Sequence, residues 1–281
     1  MFLLYRPITR CIVLAMLSFV WATSVVPARA GQSTSDQHPD KVEMGETAHR
    51  NVVVATGPWP PYAVEDGMSH GTLGKILEIV FNRAGYGVEF QFHPWPRSLK
   101  DSLEGTADAL MPAYCSAERA ENYFCSDEVV TGRMVFFRLR ETPPVSWEKI
   151  TDLAEMPIGA TMSYYYGDEF QAVEAAGEIR VIRIPSDVTN MKLLLKGRIK
   201  LYPQDALVGD EIIRAHFEPE EQALLTHDNK SLHDRPIHVL FTRANPRGEH
   251  LTQVFNDGLE KLRKSGELDA LLKPLIGDHN H

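Results

Sequence analysis

The chain has 281 residues, a length that suits one large domain or two lobes and excludes a single small module. A hydrophobic fraction of 43% is sufficient for buried cores and excludes a wholly disordered chain. The formal net charge of -9 argues against nucleic-acid binding, because a phosphate backbone calls for a basic surface.

The N-terminus has the pattern of an export signal over residues 1–30. Arg6 and Arg10 precede an apolar run over residues 11–26, which ends in the small-x-small sequence Ala28-Arg29-Ala30. A membrane anchor is the alternative, although this run is short for a span of about 20 residues. We therefore expect cleavage near Ala30 and a mature protein in the periplasm.

A polar leader over residues 31–50 precedes the first alternating segments. Strands are predicted at 51–56, 88–92 and 108–111 from short apolar runs. Helices are predicted between them, one from the apolar stripe Leu73, Ile76, Leu77, Val80 and Phe81, and a shorter one at 98–103. Strands that alternate with helices predict a parallel α/β sheet with right-handed crossovers.

A second set of the same kind follows Pro143-Pro144. Strands are predicted at 158–161, 180–184 and 199–202, with helices at 168–176, 188–195 and 210–215. A further strand at 237–243 leads into two C-terminal helices, at 248–264 and 268–275. We interpret the chain as two α/β lobes joined by two crossings, near 139–144 and 234–239. Lobe one is expected over 51–140 and 238–278, and lobe two over 141–237.

The residues that follow each strand are candidates for a binding site, because ligands of open α/β sheets bind at the carboxyl ends of strands. An Arg side chain suits a carboxylate, a helix N-terminus favours negative charge, and an Asp suits an ammonium group. Together, these residue types at the strand ends predict that a small zwitterion binds in a cleft between the lobes. The candidates are Trp59, Tyr62, Arg119, Ser163, Tyr164, Tyr165 and Asp205.

Each candidate also has a purely structural alternative. Arg119 is alternatively an exposed helix residue paired with Glu118 or Glu121. Asp205 is alternatively the N-cap of the helix that follows it. The aromatic candidates are alternatively packing residues or part of a surface run.

Two cysteines, Cys115 and Cys125, remain once the signal with Cys11 is removed. An even pair in an oxidising compartment predicts a disulfide that closes a short loop. Two unpaired thiols are the alternative, and zinc binding is weaker because partners at ligand spacing are lacking. The histidines, His279 and His281 included, show no such spacing either, so neither a metal nor a cofactor is expected.

Five stretches, in order, resemble the extracellular solute-binding proteins of family 3, which include amino-acid receptors of ABC importers. They cover nearly all of residues 51–276 and read VVVATGPWPPYAV, GTADALMPAYCSAERAENYFCSDEV, PIGATMSYYYGDEF, GRIKLYPQDALVG and GEHLTQVFNDGLEKLRKSGELDALL. The resemblance implies a two-lobed periplasmic binding protein fold, type II-like, with a mostly parallel sheet in each lobe and two hinge crossings. It also implies a non-enzymatic monomer that serves an inner-membrane ABC permease.

The same resemblance implies roles for the candidates. Arg119 falls where the family grips the ligand's α-carboxylate, and Asp205 where it takes the α-ammonium. Trp59 and Tyr62 fall in the loop that covers the ligand side chain. Residues 163–165 (Ser163, Tyr164 and Tyr165) fall on the lobe-two turn that reaches the carboxylate.

The chain departs from the family pattern in two places. Tyrosines stand at 164 and 165, where small hydroxyl residues are common, and GTLGKIL at 71–77 lacks the usual acidic residue. Both departures count against an ordinary α-amino acid as ligand. Trp95 and Arg97, in PWPRSL, resemble a divergent branch, and Arg97 offers either a second positive contact or a helix cap.

Two other functions compete on this scaffold. Periplasmic cyclohexadienyl dehydratases resemble the family and expel water and carbon dioxide from a ring acid, which requires a general acid such as Asp205, Glu65 or Glu169. A sensory partner of a membrane kinase or cyclase is the other. Turnover of a ring acid would distinguish the lyase, and a neighbouring permease gene would distinguish an importer from a sensor.

Overall fold

The computed structural model describes residues 51–276, so the predicted signal and leader lie outside the described residues. Within that range, no helix is both long enough and apolar enough to cross a membrane.

The first set of elements confirms the predicted alternation. It comprises β1 (Asn51–Thr56), α1 (Gly71–Arg83), β2 (Gly87–Phe92), α2 (Trp95–Leu103) and β3 (Ala109–Tyr114). Strand β1 pairs in parallel with both β2 and β3. Helix α1 forms where predicted because its apolar stripe is fully buried against the sheet and against the C-terminal helices.

Three elements follow that the sequence patterns did not predict. They are α3 (Ala117–Asn122), β4 (Tyr123–Cys125) and β5 (Val130–Leu139). A long returning strand, β9 (Leu225–Thr242), pairs antiparallel with β3, β4 and β5. The sheet is therefore mixed, and the expectation of mostly parallel pairing holds only for the pairs of β1 and for one pair in lobe two. The first half of β9 was not predicted as a strand because it is polar and has low intrinsic strand preference. It forms a strand through its pairing with other strands of the sheet.

The second set contains a short 3-10 helix (Ile150–Leu153) and the elements of lobe two. These are β6 (Ile158–Thr161), α4 (Asp168–Ala175), β7 (Val181–Ile184), α5 (Asp187–Leu195), β8 (Tyr202–Asp205), α6 (Ala206–His216) and α7 (Pro219–Gln222). Strands β6 and β7 pair in parallel, whereas β8 pairs antiparallel with β5. Helix α6 begins four residues before its predicted start because Asp205 caps it, accepting the backbone N–H groups of Leu207 and Val208.

Helices α8 (Gly248–Ser265) and α9 (Glu267–Ile276) close the fold as predicted. Leu251, Phe255 and Leu259 of α8 are fully buried, and α8 packs mainly against α1. Gly266, with a φ of 74°, provides the left-handed residue that ends α8 and starts α9.

Strands β5 and β9 connect the two lobes. Lobe one here denotes the part that carries β1–β4, and lobe two the part that carries β6–β8. Strand β5 pairs with β9 from Val130–Ile237 to Leu139–Leu225, and from Met134 onward also with β8 of lobe two. Two crossings are thus present, while the lobe boundaries at residues 140 and 237 stay a prediction. Gly132 lies at the crossing, where a Cβ would be 2.9 Å from both Asp205 Oδ2 and the Tyr114 hydroxyl.

Candidate functional site

A cavity of about 290 Å³ lies between the lobes, at the carboxyl ends of several strands. Its walls are mostly aromatic, proline and aliphatic side chains. The ionisable groups among its lining residues, apart from tyrosines, are Arg119, Asp187 and His216. A second cavity of about 360 Å³ adjoins it and shares Arg119, Tyr164 and Tyr165, but its walls are more polar. An enclosure of this size and composition suits a small molecule with an apolar body and charged ends.

The two predicted aromatics of the first loop have different positions. Trp59 lines the cavity, and its indole Nε1 donates a hydrogen bond of 3.3 Å across the lobes to Gln204 Oε1. Tyr62 is not among the cavity-lining residues and is 1% exposed. Its hydroxyl donates to Asp205 Oδ1 at 3.2 Å, and its ring packs 5.1 Å from Trp59. The position of Trp59 is therefore consistent with the predicted ligand contact, whereas Tyr62 packs against Trp59 and does not line the cavity.

Arg119 lines both cavities from helix α3. Its Nη1 donates to Tyr114 O at 2.9 Å, its Nη2 to Ser163 O of the other lobe at 3.5 Å, and it lies over the Trp95 ring. Among the described residues, no carboxylate oxygen lies within 4 Å of this guanidinium. The alternative pairing with Glu118 or Glu121 is therefore absent here. Burial lowers the pKa of Arg119, but an arginine stays charged under any physiological condition.

The predicted disulfide is present and encloses the Arg119 helix. Cys115 and Cys125 are bonded, with 6.2 Å between their Cα atoms. Ser116, next to the first cysteine, caps α3 by accepting the backbone N–H of Arg119 at 3.2 Å. The bond and the cap together restrict the segment that carries the guanidinium. No described group of three His, Cys, Asp or Glu residues is arranged to hold a metal ion.

The turn after β6 contacts lobe one directly. Trp95 Nε1 donates to the backbone oxygen of Ser163 at 3.2 Å, and its ring meets Tyr164 edge-on at 6.1 Å. Tyr164 and Tyr165 line both cavities, whereas Ser163 lines only the second. Arg97 lines neither cavity. Its side chain is 65% exposed and lies 3.5 Å from Asp101, one turn further along α2.

Asp205 does not line the cavity and is fully buried. Its Oδ1 accepts from Tyr62 and from the N-terminus of α6, and its Oδ2 accepts from the backbone N–H of Arg133 at 3.0 Å. Both carboxylate oxygens are occupied, as expected for the N-cap alternative. The structure therefore does not place Asp205 on the cavity wall. Burial raises the pKa of Asp205 to about 7, although these donors act in the opposite direction.

This pKa predicts a pH-dependent effect of Asp205→Asn. Because the folded-state pKa lies above the unfolded value of 3.8, the contribution of Asp205 is fully present below pH 4 and is lost as pH rises through 7. The asparagine variant should therefore gain stability relative to the native protein between pH 4 and pH 8, by at most about 4 kcal/mol. Urea unfolding of both proteins at pH 4, 6 and 8 measures the difference. A constant difference would mean that the four donors keep the carboxylate charged throughout.

Asp187 is the cavity-lining carboxylate that the sequence patterns missed. It is the first residue of α5, directly after β7, and is half-buried. Its carboxylate accepts from Thr161 Oγ1 at 2.5 Å, Tyr202 OH at 2.7 Å and Tyr164 OH at 3.0 Å. Burial raises its pKa, and the hydroxyl donors partly offset this effect. The signal was available, because the residues after β7 belong at the same sheet edge as the other candidates.

The carboxyl groups named as general acids are poorly placed for chemistry in the cavity. Glu65 is exposed on a loop, and Glu169 accepts the backbone N–H of Ile150 at 3.3 Å. Neither of them, nor Asp205, lines the cavity. The arrangement instead presents a guanidinium and a carboxylate among aromatic side chains, which suits binding of a zwitterion.

Comparison with known proteins places the chain in one family. The pattern of the bacterial extracellular solute-binding proteins, family 3, matches residues 52–278. No curated protein matches the sequence significantly.

Several solved structures share the two-lobed fold at low identity. A histidine kinase sensor domain with similarity to periplasmic binding proteins is 21% identical, with a TM-score of 0.70 over 81% of this chain and 96% of that chain. A variant of the arginine-binding protein ArgBP from T. maritima is 15% identical, with a TM-score of 0.68 over 82% and 97%. An amino acid ABC transporter substrate-binding protein from Streptococcus pneumoniae, bound to L-arginine, is 18% identical, with a TM-score of 0.64 over 81% and 94%. At these identities the likeness shows the fold.

Proposed function

Since the chain belongs to the bacterial extracellular solute-binding proteins of family 3, we propose that it captures a small, amino-acid-like solute between its lobes for ABC-type import. The proposal rests on the position of the Arg119 guanidinium at the cavity wall. Arg119 presents a half-buried guanidinium to the cavity, and among the described residues it bonds to two backbone oxygens and lies over the Trp95 ring but has no carboxylate partner. Such a guanidinium is prepared for a ligand carboxylate.

Capture requires that the ligand contacts both lobes. Arg119 and Trp59 reach the cavity from lobe one, and Tyr164 and Asp187 from lobe two. A ligand that contacts all four favours the closed arrangement, in which Trp95 meets Ser163, over an open one. The crossings in β5 and β9 serve as the hinge, and the closed complex is the form that an inner-membrane permease recognises.

The proposed location and assembly follow the same function. Proteins of this family are extracellular or periplasmic, and cleavage near Ala30 would release the mature chain into the periplasm. A monomer suffices, because both halves of the cavity come from one chain. Binding without turnover requires no cofactor and no catalytic residue.

A ligand panel tests the proposal with the mature chain that begins at residue 31. The panel contains the twenty amino acids, small carboxylates, amines and prephenate-like ring acids. A ligand that binds only the folded state stabilises it by roughly 2.7 kcal/mol at a hundredfold excess over Kd. We expect a midpoint shift of several degrees for carboxylate-bearing members.

Three outcomes would contradict the proposal or part of it. The absence of a shift with every panel member would remove support for an amino-acid-like ligand. Conversion of a ring acid to a decarboxylated, dehydrated product would establish the lyase instead. Ligand binding without a permease gene in the neighbourhood would favour a sensory partner over an importer.

A further inference from the structure

We propose that Asp187, rather than Asp205, holds the cationic group of the ligand, an inference that rests on the capture function proposed above. The ligand class is accordingly a molecule with a cation at one end and a carboxylate at the other. Asp187 lines the cavity and is half-buried, whereas Asp205 does not line it and has no exposed surface.

The carboxylate of Asp187 has neutral donors only. Three hydroxyl groups converge on it, from Thr161 at the end of β6, Tyr164 in the following turn and Tyr202 at the start of β8. Among the described residues, no Lys, Arg or His nitrogen lies within 4 Å. A partly buried carboxylate without a counter-charge is unfavourable unless a partner arrives from outside.

The hydrogen bond between Tyr202 and Asp187 belongs to a chain of hydrogen bonds that includes Gln204. The side-chain oxygen of Gln204 accepts from Trp59 Nε1 at 3.3 Å and from the backbone N–H of Asp205 at 2.8 Å. Its amide nitrogen therefore faces Tyr202 and donates to that hydroxyl at 2.9 Å. The Tyr202 hydroxyl lies 2.7 Å from Asp187 Oδ1 and 3.0 Å from Thr161 Oγ1, and a charged carboxylate only accepts, so the hydroxyl donates to Asp187 when that carboxylate is charged. This chain of hydrogen bonds stabilises the charged carboxylate of Asp187 and extends to Trp59 of lobe one.

An acidic residue at the first position of a helix has a purely structural interpretation. Asp187 follows the N-cap Ser186, and an acidic side chain there interacts favourably with the helix dipole. That role requires neither a position on the cavity wall nor three hydroxyl donors from other elements. Such convergence orients the carboxylate toward one place, which is what a ligand contact needs.

The remaining walls define the middle of the ligand. Trp59, Tyr114, Met134 and Ile237 line the cavity together with Asp187 and Arg119. An apolar or aromatic body between the two charged ends fits these surfaces.

Paired ligands test the assignment. 5-Aminopentanoate, 6-aminohexanoate and 4-(aminomethyl)benzoate, which carry the two charges at opposite ends of an apolar body, are each compared by calorimetry with the analogue that lacks only the amino group. The native protein should bind at least one amino acid about tenfold or more tightly than its analogue, and Asp187→Asn should reduce that preference to within about threefold. Asp205→Asn is the matched control and should keep the preference. A preference that survives in Asp187→Asn, or that is lost in Asp205→Asn, overturns the assignment.

The stability of the ligand-free protein provides a second readout. An uncompensated carboxylate lowers stability when it is charged, so Asp187→Asn should raise the melting temperature at pH 8 by about 2–4 °C and have less effect at pH 4. The side chains that hydrogen-bond to Asp187 are those of Thr161, Tyr164, Tyr202 and Gln204, and burial raises the pKa of both tyrosines, so none of the four ionises in this range. Apart from tyrosines, the other ionisable groups among the residues that line the same cavity are Arg119 of α3 and His216 of α6. A lower melting temperature at pH 8 would show that Asp187 is structural, and would overturn the assignment.

The two readouts separate two failures. If the native protein binds neither these probes nor any member of the ligand panel, the capture function fails, and the melting temperatures still decide whether Asp187 is an uncompensated charge. If the native protein binds and Asp187→Asn binds with the same preference, the capture function stands and the assignment to Asp187 fails.

Discussion

Replacement of Arg119 by alanine should abolish ligand-induced stabilisation while leaving the free protein folded. Removal of one partner from a desolvated, hydrogen-bonded charge pair costs about 2–5 kcal/mol, which lowers affinity by roughly thirtyfold to several thousandfold. The free protein should tolerate the change, because among the described residues the guanidinium bonds only to two backbone oxygens, at Tyr114 and Ser163, and otherwise lies over the Trp95 ring. Calorimetric titration of the strongest ligand from the panel measures the effect.

Arg97→Ala provides the matched control for Arg119→Ala. It removes the same charge and the same side chain from lobe one, but from an exposed position outside both cavities. Affinity should change by less than about threefold, as for a screened surface charge. Equal losses in the two variants would indicate general electrostatic attraction and would remove Arg119 from the site.

The second large effect concerns stability and a buried ion pair between the crossing strands. Arg138 of β5 and Asp228 of β9 lie 2.6 Å apart, with side chains only 8% and 6% exposed. Asp228→Ala leaves the guanidinium buried without its counter-charge, with only the backbone oxygens of Leu139 and Thr142 as acceptors. We expect a loss of about 3–5 kcal/mol in the free energy of unfolding, measured by urea denaturation.

Two further variants make this result specific. Glu267→Ala breaks the exposed pair with Arg83 and should cost no more than about 1 kcal/mol. The double variant Arg138→Met with Asp228→Leu should recover most of the lost stability, because a buried ion pair is replaceable by apolar side chains of similar volume. If Asp228→Ala and Glu267→Ala lower the free energy of unfolding by the same amount, the Arg138–Asp228 pair is not desolvated, in contradiction to its burial in the structure.

Local sequence patterns correctly predicted the elements whose burial periodicity is visible in their own residues. The stripe from Leu73 to Phe81 gives α1, and short apolar runs give β1 and β6, because burial periodicity is a local property. The polar half of β9 forms a strand only because β5 pairs with it. Such pairing depends on contacts about a hundred residues away, which no local pattern contains.

The candidate site was predicted in part, for a related reason. Arg119, Trp59 and Tyr164 reach the cavity because each follows a strand at its carboxyl end. Asp205 follows a strand as well, but an Asp at that position serves equally as an N-cap. Only the three-dimensional position of Tyr62 over its carboxylate decides between the two roles.

The buried bond between Tyr62 and Asp205 has a consequence for evolution within the family. It joins the two lobes, and neither residue lines the cavity. Across homologues that share the arrangement, positions 62 and 205 should vary together as a structural pair. Under the proposed function, homologues that bind different ligands should instead differ at positions 119, 164 and 187, which line the cavity.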